Sequence, residues 1–402
     1  MDIRKLLEAM PRSMASDLHI RVGIPPIYRI QGALTRASKT PVTAEDMLEM
    51  LKKILTSQQI ARFNEEMELD FALQIGKESR FRVNLYRQKG TPALAFRLIN
   101  TSIPRFDSLN LPPILEKLSQ RKRGMILVTG ITGSGKSTTL ASMVDYINRN
   151  SSMNIITVED PIEYIHDNKR SIIAQREIGQ DTLSFSEALR RALRQDPDVI
   201  QIGEIRDEIT MQIALSAADT GHLVLSTLHT LDSLQTIYRI LSFFPPHQHQ
   251  EIRLLISSTL QAVVSQRLIP RDDKPGRVPA CEILIGTEAV KEFVTDPEKT
   301  SGIRDLISEG AVQYGMQSFD QSLMSFYKQG MISLETALEN ATNPDDFKLR
   351  IQGFVAGSDR GWQEFEMKNK KEQEDEEDES EEKQTSFDDI ELDDLIDEEE
   401  DS

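Results

Sequence analysis

Residues Gly130, Ile131, Thr132, Gly133, Ser134, Gly135, Lys136 and Ser137 fit the pattern G-x-x-x-x-G-K-[ST]. An apolar run, "MILVTG", leads into them, and "KSTTLASMVDYINRN" continues from them with helical periodicity. Strand, glycine-rich turn and helix in that order leave few folds open. Glycines let backbone N–H groups curl around phosphate oxygens, and the helix N-terminus adds its positive dipole end. Lys136 is then expected to reach the β- and γ-phosphates, and Ser137, followed by Thr138, to face nucleotide and Mg²⁺. The stretch predicts a nucleoside triphosphate site.

The rhythm around it agrees. "NIITVED", "DVIQIGE" and "HLVLSTLH" read as strands, while "SFSEALRRALRQ" and "DEITMQIALSAAD" read as helices between them. Such alternation predicts an α/β unit with a mostly parallel sheet covered on both faces, and ligands beyond the carboxyl ends of its strands. Residues 247 to 350 read as mainly helical, with "RVPACEILIG" as the exception. Before residue 100 the signals mix. "DIRKLLEAM" and "AEDMLEMLKKILTSQQIARFNEE" are helical in period. "SRFRVNLYRQ" alternates Phe81, Val83 and Leu85 inward against Arg80, Arg82 and Asn84, a strand pattern, with "TPALAFRLI" as its partner. This predicts a small α+β domain over 1–100, a proline-containing linker over 101–123 and an ATPase-type domain over 124–355.

Strand ends supply the candidate chemistry. Glu159, Asp160 and Glu163 follow one strand, Glu204 another, and His229 a third. A nucleotide site needs one carboxylate near the metal and another to orient water for in-line attack. Glu204 is the expected water-orienting group; Glu159, Asp160 and Glu163 are the metal-side candidates, with Ser137. His222 reads as a cap, and His247 and His249 as a surface helix start. Gly203 is expected to let the chain pass close to the phosphate loop. Gln201 interrupts an apolar strand. A buried amide left unsatisfied costs roughly 1–3 kcal/mol, so it is expected to hydrogen-bond a neighbouring loop or side chain.

Charge is uneven. The 402 residues carry a net −18, and residues 372–402 alone hold nineteen Asp or Glu against one Lys. The acidity therefore belongs to a tail, expected over 356–402, which self-repulsion should keep disordered. The remainder is balanced, which disfavours a broad nucleic-acid surface. "SFDDIELDDLIDEEE" sets Phe387, Ile390, Leu392, Leu395 and Ile396 among the acids, a pattern for docking onto a basic partner surface. One cysteine, Cys281, allows no internal disulfide or cysteine-based zinc cluster. No signal segment and no run of about eighteen apolar residues is seen, so a cytoplasmic protein is expected.

"GITGSGKSTTLASM", "TVEDPIEY", "LRQDPDVIQIGEIRD" and "AADTGHLVLSTLHT" resemble, in order and spacing, the Walker A, Asp box, Walker B and His box of secretion ATPases. "SDLHI", "FRVNLYRQKG" and "GMQSFDQSL" extend the resemblance to the PilT/PilU retraction motors of type IV pili, over roughly residues 1–350. The resemblance implies a PAS-like N-terminal domain and a RecA-like P-loop ATPase domain with C-terminal helices. It also implies a homo-hexamer that hydrolyses ATP with Mg²⁺, acts on an inner-membrane platform protein from the cytoplasmic side, and pairs in some cases with another pilus motor. By the same resemblance Arg82 and Arg97 are the arginines supplied to nucleotide, Glu204 the Walker B glutamate, Glu163 the Asp-box glutamate and His229 a His-box histidine. The absence of a four-cysteine zinc element separates the chain from extension and secretion relatives. The retraction motif AIRNLIRE is only echoed, as "GIRDLI" within "EAVKEFVTDPEKTSGIRDLI", which keeps a PilU-like accessory motor as the alternative. A hexameric nucleic-acid translocase is the third reading.

Overall fold

The computed structural model describes residues 1–30, 32–76, 79–99 and 102–352. The expected acidic tail lies outside these residues. Two sheets organise the chain. The first runs in the order β3-β2-β1-β6-β5-β4 and is antiparallel throughout. Its strands are β1 (Ala15–Arg21), β2 (Ile27–Ile30), β3 (Ala33–Arg36), β4 (Glu68–Ile75), β5 (Ser79–Gln88) and β6 (Thr91–Ile99). The alternation in β5 comes out as expected: Phe81, Val83 and Leu85 are fully buried, whereas Arg82 is exposed. Those side chains meet Ile3, Leu7 and Met10 of the helix Ile3–Arg12, and Met47 and Met50 of the helix Ala44–Ile54. The single long helix suggested for residues 44–66 is instead two, Ala44–Ile54 and Ser57–Glu66. Thr56 breaks it, because its hydroxyl accepts from Gln59 N–H while the Gln59 side chain accepts from Thr56 N–H. This reciprocal cap starts a new helix in competition with continuing the old one.

The second sheet holds β7 (Gly124–Thr129), β8 (Asn154–Glu159), β9 (Ile172–Glu177), β10 (Val199–Ile202), β11 (Leu223–Leu228), β12 (Leu260–Pro270) and β13 (Arg277–Ile285). Its order is β13-β12-β7-β11-β10-β8-β9, parallel except for the β12–β13 pair. β7, β10 and β11 are buried along their whole length, as strands covered on both faces must be. β12 corrects the expectation of a mainly helical stretch after residue 247. Its apolar run follows directly on the helix His249–Thr259 and is buried on both faces, so no two-residue alternation marks it as strand. Further helices, Phe319–Lys328, Leu334–Asn340 and Pro344–Ile351, pack Phe319, Leu323 and Phe347 against Ile269 of β12 and Val278 of β13.

This order sets β7, β11, β10 and β8 side by side. The loops leaving their carboxyl ends therefore share one edge of the sheet, and they carry the phosphate loop, His229, Glu204 and Glu163.

Candidate functional site

The phosphate loop turns through Gly130 (φ +145°), Gly133 (φ +81°) and Gly135 (φ +92°), conformations that side chains with a Cβ rarely adopt. Gly130 is also pressed from outside: a Cβ there would stand 2.4 Å from Ser134 Oγ and 2.5 Å from the Gln266 carbonyl oxygen. Ile131, Thr132 and Gly133 are exposed at the crest. Lys136, at the start of the helix Lys136–Asn150, is buried and donates from Nζ to the carbonyls of Gly130 (2.8 Å) and Ile131 (3.0 Å). Burial pulls its ammonium below the ordinary lysine range, while the charges of Glu204 and Glu163 act in the opposite sense. Both carboxylates thus lie within electrostatic reach of the loop lysine. Thr138, one turn into the helix, has its hydroxyl 2.9 Å from Tyr164 Oη, which ties the helix to the loop after β8.

Glu204 follows β10 with its side chain mostly shielded. His229, following β11, places Nε2 3.2 Å from Glu204 Oε2. Arg206 pairs with the other carboxylate oxygen of Glu204, and Asp160 lies in electrostatic reach of the same guanidinium. Sequence reasoning passed over Arg206, although it stands inside the Glu204–Asp207 turn.

Glu159, Asp160 and Glu163 do not gather as a ligand set; among the described residues no group of three or more His, Cys, Asp or Glu side chains is arranged to hold a metal ion. Asp160 and Glu163 are exposed, while Glu159 is buried and its Oε1 accepts from Thr157 Oγ1 (2.7 Å) and Gln175 Nε2 (3.2 Å). Burial raises the Glu159 carboxyl above its ordinary range, opposed by those hydrogen bonds. Arg82 and Arg97 form a cross-strand pair on the first sheet. Arg97 donates to Asp17 within that sheet (2.9 Å), and no hydrogen bond or ion pair among the described residues joins either arginine to the phosphate loop. Among the described residues, the ion pair that crosses between the sheets is that of Arg80 with the buried Glu177 at the end of β9. Glu177 also accepts from the backbone N–H of Ile162, at 3.2 Å, and so fixes the loop that carries Glu163.

Gln201 also departs from expectation. Its Oε1 is buried with no hydrogen-bond partner, in a strand flanked by Thr157 and Leu225. Thr157 spends its hydroxyl hydrogen on Glu159, which leaves that neighbour no hydrogen to donate. Nor does Gly203 approach the phosphate loop: a Cβ there would lie 3.4 Å from Glu159 Cα and from Val158 O, so the close approach is to the end of β8. His222 and His249 are structural, with ring nitrogens on the carbonyls of Ala217 (2.9 Å) and Phe244 (3.0 Å). Cys281 is buried and its thiol is pushed up to about 12, an inert small hydrophobe. "GIRDLI" opens the helix Ile303–Glu309, where Ile303 and Ile307 are buried and Arg304 reaches Asp232 at 3.2 Å, three residues beyond His229.

Comparison with known proteins agrees with this arrangement. The family model for Type II/IV secretion system proteins matches residues 1–338. The type IV pilus retraction ATPase PilT of Pseudomonas aeruginosa is 41% identical over 347 residues, which cover 86% of this chain and all of that protein. The type IV pilus ATPase PilU of the same organism is 41% identical over 352 residues, 88% of this chain and 92% of PilU. Among solved structures, the pilus retraction motor PilT with bound ADP superimposes with a TM-score of 0.80 at 42% identity, covering 86% of this chain and 98% of that one. The ATPase DotB of Legionella pneumophila gives 0.73 at 28% identity, over 87% and 95% of the two chains. The chain belongs to the Type II/IV secretion system protein family, among its PilT- and PilU-type ATPases.

Proposed function

We propose that this chain is a motor that hydrolyses ATP to drive retraction of type IV pili. The observation that carries the reading is the convergence of Glu204 and His229 from adjacent strand ends toward the loop of Lys136. Loop N–H groups and Lys136 bind and orient the phosphates. Glu204 takes the proton of the attacking water as its oxygen bonds the γ-phosphorus, and ADP leaves with the bridging oxygen. His229 and Arg206 hold the carboxylate in position. Mg²⁺ suits the donor set: Ser137 stands in the first turn of the helix Lys136–Asn150, and Glu163 and Asp160 are exposed at the same sheet edge. When bound, that ion would neutralise charge on the transferring phosphoryl group. Arg82 and Arg97 would reach nucleotide only if the first sheet closes over the site.

The further elements of this proposal are a PAS-like domain over 1–100, a RecA-like domain over 124–355 and a homo-hexameric ring. We place its work at an inner-membrane platform protein on the cytoplasmic side, in some settings beside another pilus motor, with the acidic tail docking a basic partner surface. No helix of the described residues is long and apolar enough to cross a membrane. Glu204→Gln, assayed for ATP hydrolysis and for pilus retraction, tests the reading: both should be lost. Lost hydrolysis with normal retraction would overturn it in favour of the accessory role. Stimulation of hydrolysis by DNA would instead favour a translocase.

A further inference from the structure

Two polar side-chain atoms beside the phosphate loop are buried without partners, Ser134 Oγ and Gln266 Oε1. Each residue is 2% exposed. Native structures hold few such groups, and each one asks for a reason. Gln266 stands on β12, directly after Ser265, whose register partner is Thr129 at the end of β7. The loop is therefore folded against it. The Gln266 carbonyl oxygen lies 2.5 Å from the position of a Cβ on Gly130, and its Nε2 lies 3.7 Å from that of a Cβ on Gly135. The strand itself is a rigid platform. β13 pairs with it through nine register positions from Ala262 to Pro270. The next residue, Arg267, lays its guanidinium over the Phe319 ring (3.9 Å) and donates to Asn340 O (3.2 Å).

Lys136 Nζ now gives its hydrogens to the Gly130 and Ile131 carbonyls. A phosphate drawing that ammonium away leaves the Gly130 carbonyl in need of a donor, while Ile131 O keeps the Ser134 backbone N–H at 3.2 Å; Ser134 Oγ stands against Gly130. We propose that Gln266 is a positioning residue of the phosphate loop, whose amide closes onto Ser134 and the loop backbone when nucleotide seats. The proposal rests on the nucleotide-binding reading above. It gives the unpartnered Ser134 Oγ and Gln266 Oε1 their hydrogen-bonding role.

The test uses the full chain and ADP as probe, with affinity by calorimetry and the ADP-induced shift in Tm as readouts. Gln266→Leu removes an amide that is unpaired in the nucleotide-free protein, so the nucleotide-free Tm should hold or rise. ADP affinity should fall about tenfold, the loss of roughly one net hydrogen bond, and the ADP-induced Tm shift should shrink with it. Ser134→Ala should do the same, and the double variant should lose little more, since the pair acts as one unit. Gln266→Met serves in place of Leu if the branched side chain prevents folding. ADP affinity within about twofold of the parent overturns the proposal. So does a loss matched by an equal drop in the nucleotide-free Tm, the mark of a merely structural role. A parent chain that binds no ADP would overturn the nucleotide reading itself, which separates the two failures.

Discussion

His229 Nε2 stands 3.2 Å from Glu204 Oε2, across 25 positions of sequence, because β10 and β11 are parallel neighbours whose carboxyl ends lie on the same edge of the sheet. Glu204→Gln keeps the shape of this contact and removes the base. Hydrolysis should fall by about 10²–10⁴-fold, the usual worth of a positioned general base, with nucleotide binding retained. His229→Ala removes one hydrogen bond to a charged group and should cost roughly ten- to a hundredfold in kcat. Steady-state ATPase assays with parallel ADP titrations check both.

Arg80 and Glu177 join the two sheets through side chains that are 13% and 4% exposed. Removing one partner strands a buried charge, so Arg80→Ala and Glu177→Ala should each destabilise by about 3 kcal/mol or more. The double variant should lose much less than the sum. Urea unfolding of the three proteins measures the coupling.

Arg82 is exposed and unpaired among the described residues, and Arg97, itself exposed, pairs with the buried Asp17. Alanine at Arg82 should leave stability within about 1 kcal/mol, whereas at Arg97 it leaves the buried Asp17 short of a partner and should cost more. If the first sheet closes over nucleotide as proposed, kcat should still drop by about tenfold or more. An unchanged kcat would strip both arginines of that role.

Glu159 is a buried carboxyl whose protonated form the fold favours. A raised acid contributes stability below its unfolded pKa and loses it as pH rises through the folded one. Glu159→Gln keeps an acceptor for Thr157 without the charge, so Tm at pH 8 should hold or rise, and the difference should narrow toward pH 4.5. ATP hydrolysis should be retained. Its collapse together with its Mg²⁺ dependence would return Glu159 to the metal.

Burial drives His166 down to about 4, with Asp145 opposing that shift and Lys169 adding to it. The unfolded chain then takes up a proton near pH 6.5 that the folded chain refuses until about pH 4. Stability should fall by roughly 3 kcal/mol across that window and be complete above it. His166→Asn should flatten this acid limb in denaturant titrations between pH 7 and 4.

The local part of the design was legible in the chain. The glycine and lysine spacing of residues 130–137, the strand–helix alternation after it and the inward run of Phe81, Val83 and Leu85 each follow from short-range rules, whose signal lies within a few residues. That parallel strand ends converge made Glu204 and His229 readable as members of one site, whereas the neighbouring of β10 and β11 that puts them in contact came only with the fold. β12 escaped because a strand buried on both faces shows no alternation, and Thr56 because a reciprocal cap cuts a helix whose apolar period continues. The remaining decisions were tertiary. Whether Arg80, Arg82 or Arg97 would cross to the second sheet depended on where one sheet rests against the other. Whether Glu159 would face solvent or be buried depended on Thr157 and Gln175 arriving beside it. The partnerless amides of Gln201 and Gln266 arise likewise, since a side chain's hydrogen-bonding partners are set by neighbours in space that the linear sequence does not place.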